Sequence, residues 1–320
     1  MKLTYKNFYS IITKNYIFEN KPSIAVAVSG GPDSMALLFL LNHWIKKKKG
    51  KIIALFVDHK IRSESYNENL KMQLYLQKHK IESIMLRVSK NKLLKYNMAE
   101  ARNNRYILMT NYCRKKNILH LFVGHHFDDN LETFITRKIS GSSIEGLMSI
   151  SNIILRNNIQ ILRPLLNFSK KKILDFNLSN RIYYINDPSN SDKKYSRVNI
   201  RAYLQNINKK KIIKKDFLQI RKYGNLYKKM IFEITIKNIL KINSNHIILD
   251  YENFIKNEKL VVEKIIQNFF SFFYPNKNKL RSSKTEKMIN ELLDQKITFY
   301  NLGGLNIKKN GNFLIFFSKK

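Results

Sequence analysis

From Ser23 onward the chain alternates between two hydrophobic periods. Ser23–Val28 (SIAVAV) is a short, unbroken apolar run rich in β-branched residues, the pattern of a strand buried on both faces. Ser34–Ile45 (SMALLFLLNHWI) then changes to a helical, mostly apolar period. Lys51–Val57 (KIIALFV) reads as a second strand, Glu64–His79 as a helix, and Ile81–Val88 (IESIMLRV) as a third strand. Met98–Lys116 follows as a long amphipathic helix, and Ile118–Val123 as a fourth strand ending at Gly124-His125-His126. Strands alternating with helices, with too few turn signals for hairpins, predict βαβ units and hence a doubly wound, mainly parallel α/β sheet. Arg163–Leu204 reads as one more helix and an extended connection.

From about Ile212 the pattern changes. The Lys/Ile/Asn/Phe-rich stretches KKMIFEITIKNILKI (Lys228–Ile242) and KLVVEKIIQNFFSFF (Lys259–Phe273) predict helices of a second, smaller, mostly helical domain. Its tail, Ile297–Ile307 and Asn312–Phe317 around Lys309-Asn310-Gly311, predicts a terminal hairpin, because Asn-Gly suits a type I′ turn. The chain's 320 residues suit two domains with their own cores, which we place at 1–208 and 209–320.

Composition narrows the field. With 59 Lys and Arg against 23 Asp and Glu, the formal charge is +36, which fits a partner made of phosphates, RNA or DNA. The runs Lys46–Lys49, Lys170–Lys172 and Lys209–Lys211 read as solvated faces rather than dedicated sites. The single cysteine, Cys113, excludes an internal disulfide framework, a CxxC zinc site and any mechanism needing two thiols of this chain; on an apolar helix it reads as core. No apolar run approaches the roughly 20 residues of a membrane span, and the first turns carry no apolar signal core, so a soluble, cytoplasmic protein is expected. Oligomeric state, monomer or homodimer, stays open.

Candidate chemistry begins with glycine, of which the chain has only ten. Two are adjacent, between the first strand and the first helix, in Ser29-Gly30-Gly31-Pro32-Asp33-Ser34. Adjacent glycines let backbone N–H groups approach a ligand, and the following helix N-terminus adds unpaired donors and a favourable dipole, which together make an anion site. Ser29 and Ser34 add hydroxyl donors, and Asp33 a carboxylate able to hold Mg²⁺. The string is neither GxxxxGK[ST] nor GxGxxG.

It resembles the pyrophosphate loop of the ATP-pyrophosphatase (PP-loop) superfamily, enzymes that split ATP into AMP and pyrophosphate while adenylating a substrate. Four further segments resemble the tRNA(Ile)-lysidine synthetase family within it. Val57-Asp58-His59-Lys60-Ile61-Arg62 is similar to its DHxLR segment, and Met98–Tyr106 (MAEARNNRY) to its EAARxxRY helix. His125–Thr133 (HHFDDNLET) resembles HHxDDQxET, while Asp187-Pro188-Ser189-Asn190 with Tyr195, Arg197 and Arg201 resembles DPSN…YxRNxxR. The resemblance covers roughly residues 22–205. Departures are Asn130 for the usual Gln, Ser140 where Arg commonly precedes Gly141, and Val198-Asn199 for Asn-Arg.

The resemblance implies a fold, substrates and roles. ATP would lie on Ser29, Gly30, Gly31, Pro32, Asp33 and Ser34, with Asp58 and His59 near the nucleotide or the target base. Asp33 would hold Mg²⁺. Arg102, Arg105 and His126, or its neighbour His125, would act on the reacting phosphate or base. Asp129 and Glu132, three apart on one helix face, would receive free L-lysine. Arg197 and Arg201 would contact tRNA. The implied reaction adenylates the C2 oxygen of the wobble cytidine in a CAU-anticodon tRNA(Ile), after which lysine's ε-amine displaces AMP. Another tRNA-modifying PP-loop enzyme such as a thiolase, or a catalytically decayed tRNA-binding protein, are the alternatives.

Overall fold

The computed structural model describes residues 1–58, 63–87, 98–185, 196–275, 280, 282–294 and 298–318, with the backbone alone at 63–66, 98–99, 196–198, 282 and 293. His59, the DPSN segment, Tyr195 and the side chain of Arg197 lie outside the described residues. Two compact units are resolved, Met1–Ile220 and Arg221–Lys320.

The first unit runs α1 (Tyr5–Asn15), β1 (Ser23–Ala27), α2 (Pro32–Lys47), β2 (Lys51–Asp58), α3 (Ser63–Lys78), β3 (Glu82–Arg87), α4 (Met98–Lys115) and β4 (His120–Phe122). It continues with α5 (Phe127–Ile139), α6 (Ile144–Leu147), β5 (Ile153–Arg156), β6 (Ile159–Leu162), a 3-10 turn (Pro164–Asn167), α7 (Lys170–Ser179) and α8 (Ser196–Gln205). The start of α9 (Ile207–Asn238) completes it. The strand order is β3-β2-β1-β4-β6-β5, all parallel except β5.

Burial on both faces explains the unbroken apolar strands. Ile24 and Val26 of β1, with Ala54 and Phe56 of β2, join a core with Met35, Leu38, Leu41 and Trp44 of α2. Ala25, Ile53 and Leu55 point the other way, onto Tyr106, Met109 and Cys113 of α4. Burying each large side chain contributes about 1.5–3 kcal/mol, so α2, which buries Met35, Leu37, Leu38, Leu40, Leu41, Trp44 and Ile45, is a strong anchor of the sheet. β1 sends its chain through α2 toward β2, while β4 lies on its opposite edge, Val26 pairing with both Ala54 and Phe122. The winding therefore reverses between β1 and β4, where open α/β sheets form a crevice at the strands' carboxyl ends.

Two sequence expectations need correction here. β5 and β6 form a hairpin whose Asn157 and Asn158 have φ of 50° and 61°, the doubly left-handed pair that a type I′ turn demands and Asn tolerates. And 163–204 holds the 3-10 turn and two helices, not one.

In the second unit the remainder of α9 leads to β7 (Ile239–Ile242), β8 (His246–Asp250), α10 (Tyr251–Ile255), α11 (Lys259–Phe273), α12 (Ser282–Leu293), β9 (Phe299–Leu302), β10 (Leu305–Asn310) and β11 (Phe313–Ser318). The last four residues of the stretch read as helix, Ile239–Ile242, are thus strand. The arm expected at 297–307 is broken at Gly303-Gly304 into β9 and β10, and the terminal hairpin, β10–β11, sits inside an antiparallel sheet of order β7-β8-β11-β10-β9. Its loop is Gly311-Asn312, and only Gly311 has positive φ (56°), so the turn has the II′ requirement rather than the expected I′. Val262, Ile265, Phe269, Met288 and Ile289 of α11 and α12 cover one sheet face at Ile247, Leu249, Leu314 and Phe316.

Candidate functional site

β1 ends in a turn that delivers its backbone to the N-terminus of α2. Gly30 adopts φ +79°, a conformation that L side chains rarely adopt, and Gly31 is the N-cap with Pro32 following at the first helical position. The Ser34 hydroxyl donates to the Gly31 carbonyl (3.0 Å) and accepts from the Ser29 amide (3.2 Å), closing the loop on itself. The Ile185 amide holds the Gly30 carbonyl from outside at 2.9 Å. Across the crevice, Gly124 at the end of β4 packs its backbone on the Asp33–Ser34 peptide, where any Cβ would stand 3.1 Å away.

Asp33 leaves the first turn of α2 to meet Lys170, whose Nζ bonds both carboxylate oxygens at 2.8 and 2.6 Å. The amide of the same lysine donates to Asp128 Oδ2 at 2.7 Å. Lys170 therefore ties α2 to α5 from the start of α7. On α5, His126 is the N-cap and is buried; its amide donates to Asp129 Oδ2 at 2.9 Å, which satisfies one orphan donor of the helix start. Its ring stands among three carboxylates, 3.7 Å from Asp33, 3.8 Å from Asp128 and 3.7 Å from Asp129. Asp128 is also held by Lys210 of α9. Burial raises the Asp128 pKa, but the Lys210 ammonium and the Lys170 amide outweigh it and hold the carboxyl below the usual carboxylate range.

Glu132 lies one turn along α5 and is only 5% exposed. Its Oε1 accepts from Arg201 Nε of α8 at 2.8 Å, and Oε2 is buried with no hydrogen-bond partner among the described residues. The guanidinium, raised above its ordinary pKa by the Glu132 hydrogen bond, also feels Asp129 and Asp33. Asn130, fully buried, accepts from the Ile150 amide at 2.9 Å and fixes the segment after α6 against α5.

A second group lies beside these acids. His125 follows β4, with Arg102 Nη2 of α4 at 3.4 Å from its Nε2 and Arg163 Nε at 3.1 Å from its Nδ1. Arg105, also on α4, is exposed, and Asp58 is buried at the carboxyl end of β2.

The structure thus brings the loop, Asp33, His126, Asp129, Glu132 and Arg201 into one crevice. Arg201, expected on tRNA, is paired with Glu132. Lys170 and Lys210 leave the solvated faces assigned to their runs and enter the site. Among the described residues no group of three or more His, Cys, Asp or Glu could hold a metal by itself. No described helix is long and apolar enough to cross a membrane. Cys113 is buried, and burial pushes its thiol up to about 12.

The chain is similar to known proteins. A PP-loop domain model matches residues 3–207. The tRNA(Ile)-lysidine synthase of Orientia tsutsugamushi (strain Boryong) is 42% identical over 190 residues, 59% of this chain and 43% of that protein. That of Wolbachia pipientis wMel is 38% identical over 200 residues, 62% and 46% of the two chains. That of Rickettsia typhi is 41% identical over 181 residues, 57% and 42%. The matched stretch spans less than half the length of these relatives. Among solved structures, the U34-tRNA thiolase NcsA from Methanococcus maripaludis, with its 4Fe–4S cluster, superposes with a TM-score of 0.55 at 16% identity, covering 68% of this chain and 79% of that one, a likeness of fold. With the family model laid over the whole first sheet, its glycine turn and the crevice between β1 and β4, the chain belongs to the PP-loop family.

Proposed function

We propose that the protein is an ATP-dependent tRNA(Ile)-lysidine synthase, with residues 1–208 carrying the chemistry and 209–320 gripping tRNA. The observation that carries this reading is the glycine turn at 29–34, which sets the N-terminus of α2 and its Asp33 beside His126 and the acids that start α5. ATP would place its β- and γ-phosphates on Ser29–Ser34. Asp33 suits Mg²⁺, which usually takes one or two carboxylates and fills its remaining positions with phosphate oxygens and water; when bound there it would neutralise the departing pyrophosphate.

Two half-reactions follow. The C2 oxygen of the wobble cytidine bonds to the α-phosphorus, pyrophosphate leaves, and a poor leaving oxygen becomes a good one. The ε-amine of lysine then bonds to C2 and AMP departs with that oxygen. Glu132 Oε2 is a buried acceptor able to hold the incoming ammonium and take its proton, with Asp129 beside it. Unpaired anticodon bases can be splayed out cheaply, and a chain of charge +36 suits the tRNA backbone. A thiolase reading fits less well, since the one cysteine is buried with its thiol at about 12.

The decisive assay mixes ATP, radiolabelled lysine and a CAU-anticodon tRNA(Ile) transcript, and follows label entering tRNA together with pyrophosphate release. Asp33→Ala should abolish both signals, whereas Asp129→Ala should mainly weaken lysine use. An Asp33→Ala protein as active as the parent removes the reading.

A further inference from the structure

Free L-lysine carries two ammoniums and a carboxylate. Glu132 and Asp129 suit the ammoniums; the carboxylate needs a cation. The acids gathered around His126 and Glu132 are Asp33, Asp128, Asp129 and Glu132, and Lys170, Lys210 and Arg201 pair with all of them except Asp129. Asp129 has no Lys or Arg partner among the described residues, so the group holds one carboxylate in excess, which lysine, with its net positive charge, would offset.

The three cations differ in what they have left to give. Lys170 Nζ is bonded to both oxygens of Asp33, and Lys210 Nζ to one oxygen of Asp128, whose other oxygen takes the Lys170 amide. Arg201 gives Glu132 one of its five donors, Nε at 2.8 Å, and among the described residues no hydrogen bond reaches Nη1 or Nη2. The Arg201 side chain is 41% exposed and that of Glu132 only 6%, so the far end of the guanidinium is the reachable part of the pair. Ile200 and Leu204, its neighbours on α8, join a core with Leu131 and Phe134 of α5, which holds Arg201 beside Glu132 without relying on the ion pair. On the buried side of that pair, Glu132 Oε2 has no hydrogen-bond partner among the described residues. An open donor fork on one flank and an orphan acceptor on the other complement a molecule that carries a carboxylate and an ammonium together.

We propose that Arg201 is a carboxylate-binding residue that selects free L-lysine by its α-carboxylate, the two ammoniums going to Glu132 and Asp129. This rests on the functional reading above. It supplies a discrimination that acids alone lack, since they would accept any alkyl diamine of similar length.

The test is equilibrium dialysis of radiolabelled L-lysine against the full chain, alone and with ATP and Mg²⁺, with three unlabelled competitors. Cadaverine (1,5-diaminopentane) lacks the carboxylate, lysinamide masks it, and 6-aminohexanoate keeps it without the α-ammonium. Cadaverine and lysinamide should compete about 10- to 150-fold more weakly than lysine, the worth of hydrogen bonds to a charged group. Arg201→Lys keeps a counter-charge for Glu132 but loses the fork; it should weaken lysine and 6-aminohexanoate about tenfold and leave cadaverine within about twofold. Parent protein that binds cadaverine as tightly as lysine, or binds no labelled lysine in either condition, overturns the proposal. So does an Arg201→Lys protein that loses lysine and cadaverine equally, and if its tRNA binding weakens as well, the guanidinium belongs to the nucleic acid. If Arg201→Lys fails to fold, the competitor series on the parent decides. Lysine that binds without label ever entering tRNA sinks the functional reading, while the competitors still decide what Arg201 holds.

Discussion

Gly124→Ala probes how the two halves of the crevice are pressed together. The added methyl would stand 3.1 Å from the Asp33 carbonyl carbon, 3.1 Å from the Ser34 amide nitrogen and 3.2 Å from the Asp33 carbonyl oxygen. All three are backbone atoms of the first turn of α2, whereas carbon contacts settle at about 3.5–4.0 Å. The start of α2, and the turn leading into it, must therefore retreat by a few tenths of an ångström. Overpacking of this kind costs about 1–3 kcal/mol, or about 2–12 °C in Tm for a unit of this size. A misplacement of 1 Å costs about 100-fold in rate, so a third of that distance should cost about fivefold in kcat/KM for ATP. Pyrophosphate release as a function of ATP concentration, with a thermal melt, measures both. Gly141→Ala is the control: its φ of +63° strains an alanine by about 1–2 kcal/mol, but no atom lies within 4 Å, so only the melt should move. If Gly124→Ala keeps its kcat/KM for ATP while its melt falls no further than the control's, the packing argument is wrong.

Other perturbations read different parts of the site. Glu132→Gln removes a charge-assisted partner for an ammonium, about 1.5–3 kcal/mol, so KM for lysine should rise about 10- to 150-fold while pyrophosphate release on tRNA persists. Asp128 has its pKa depressed in the folded protein, so its stabilisation is present above the unfolded carboxylate value of about 4 and is lost as pH falls through the lower folded value. Melts between about pH 5 and 2 should show that loss, and Asp128→Asn should flatten the acid limb; an equally steep limb in the variant contradicts the assignment. Cys113, with its thiol near 12, should resist a maleimide in the native protein and react only after unfolding; prompt native labelling would contradict its burial.

Legibility followed the range of the forces. β1 and β2 declared themselves because both faces are buried, leaving no polar position to blur the run. The glycine turn was equally local, since its φ of +79° and its helix cap are written in six consecutive residues. The β5–β6 hairpin was not, because each strand has four residues and Asn-Asn is a weaker turn signal than Asn-Gly. β7 was hidden at the end of a helical stretch, where four apolar-rich residues fit either period. Lys170 and Lys210 were illegible for a different reason. Their partners lie 137 and 82 residues away in sequence, and nothing near either lysine sets it apart from its charged neighbours. The two histidines could not be told apart by sequence either; the structure caps α5 with His126 and seats His125 between two arginines.

Lys170 holds Asp33 by its side chain and Asp128 by its backbone, so the start of α7 belongs to both half-sites at once. Whatever neutralises Asp33 frees an ammonium and slackens one of the two tethers at that helix start. By thermodynamic linkage, any ligand of Asp33 that shifts α5 through this tether must have its own affinity shifted by the same factor when a ligand of α5 is bound. A change on either side of that helix start is then felt on the other through a single residue.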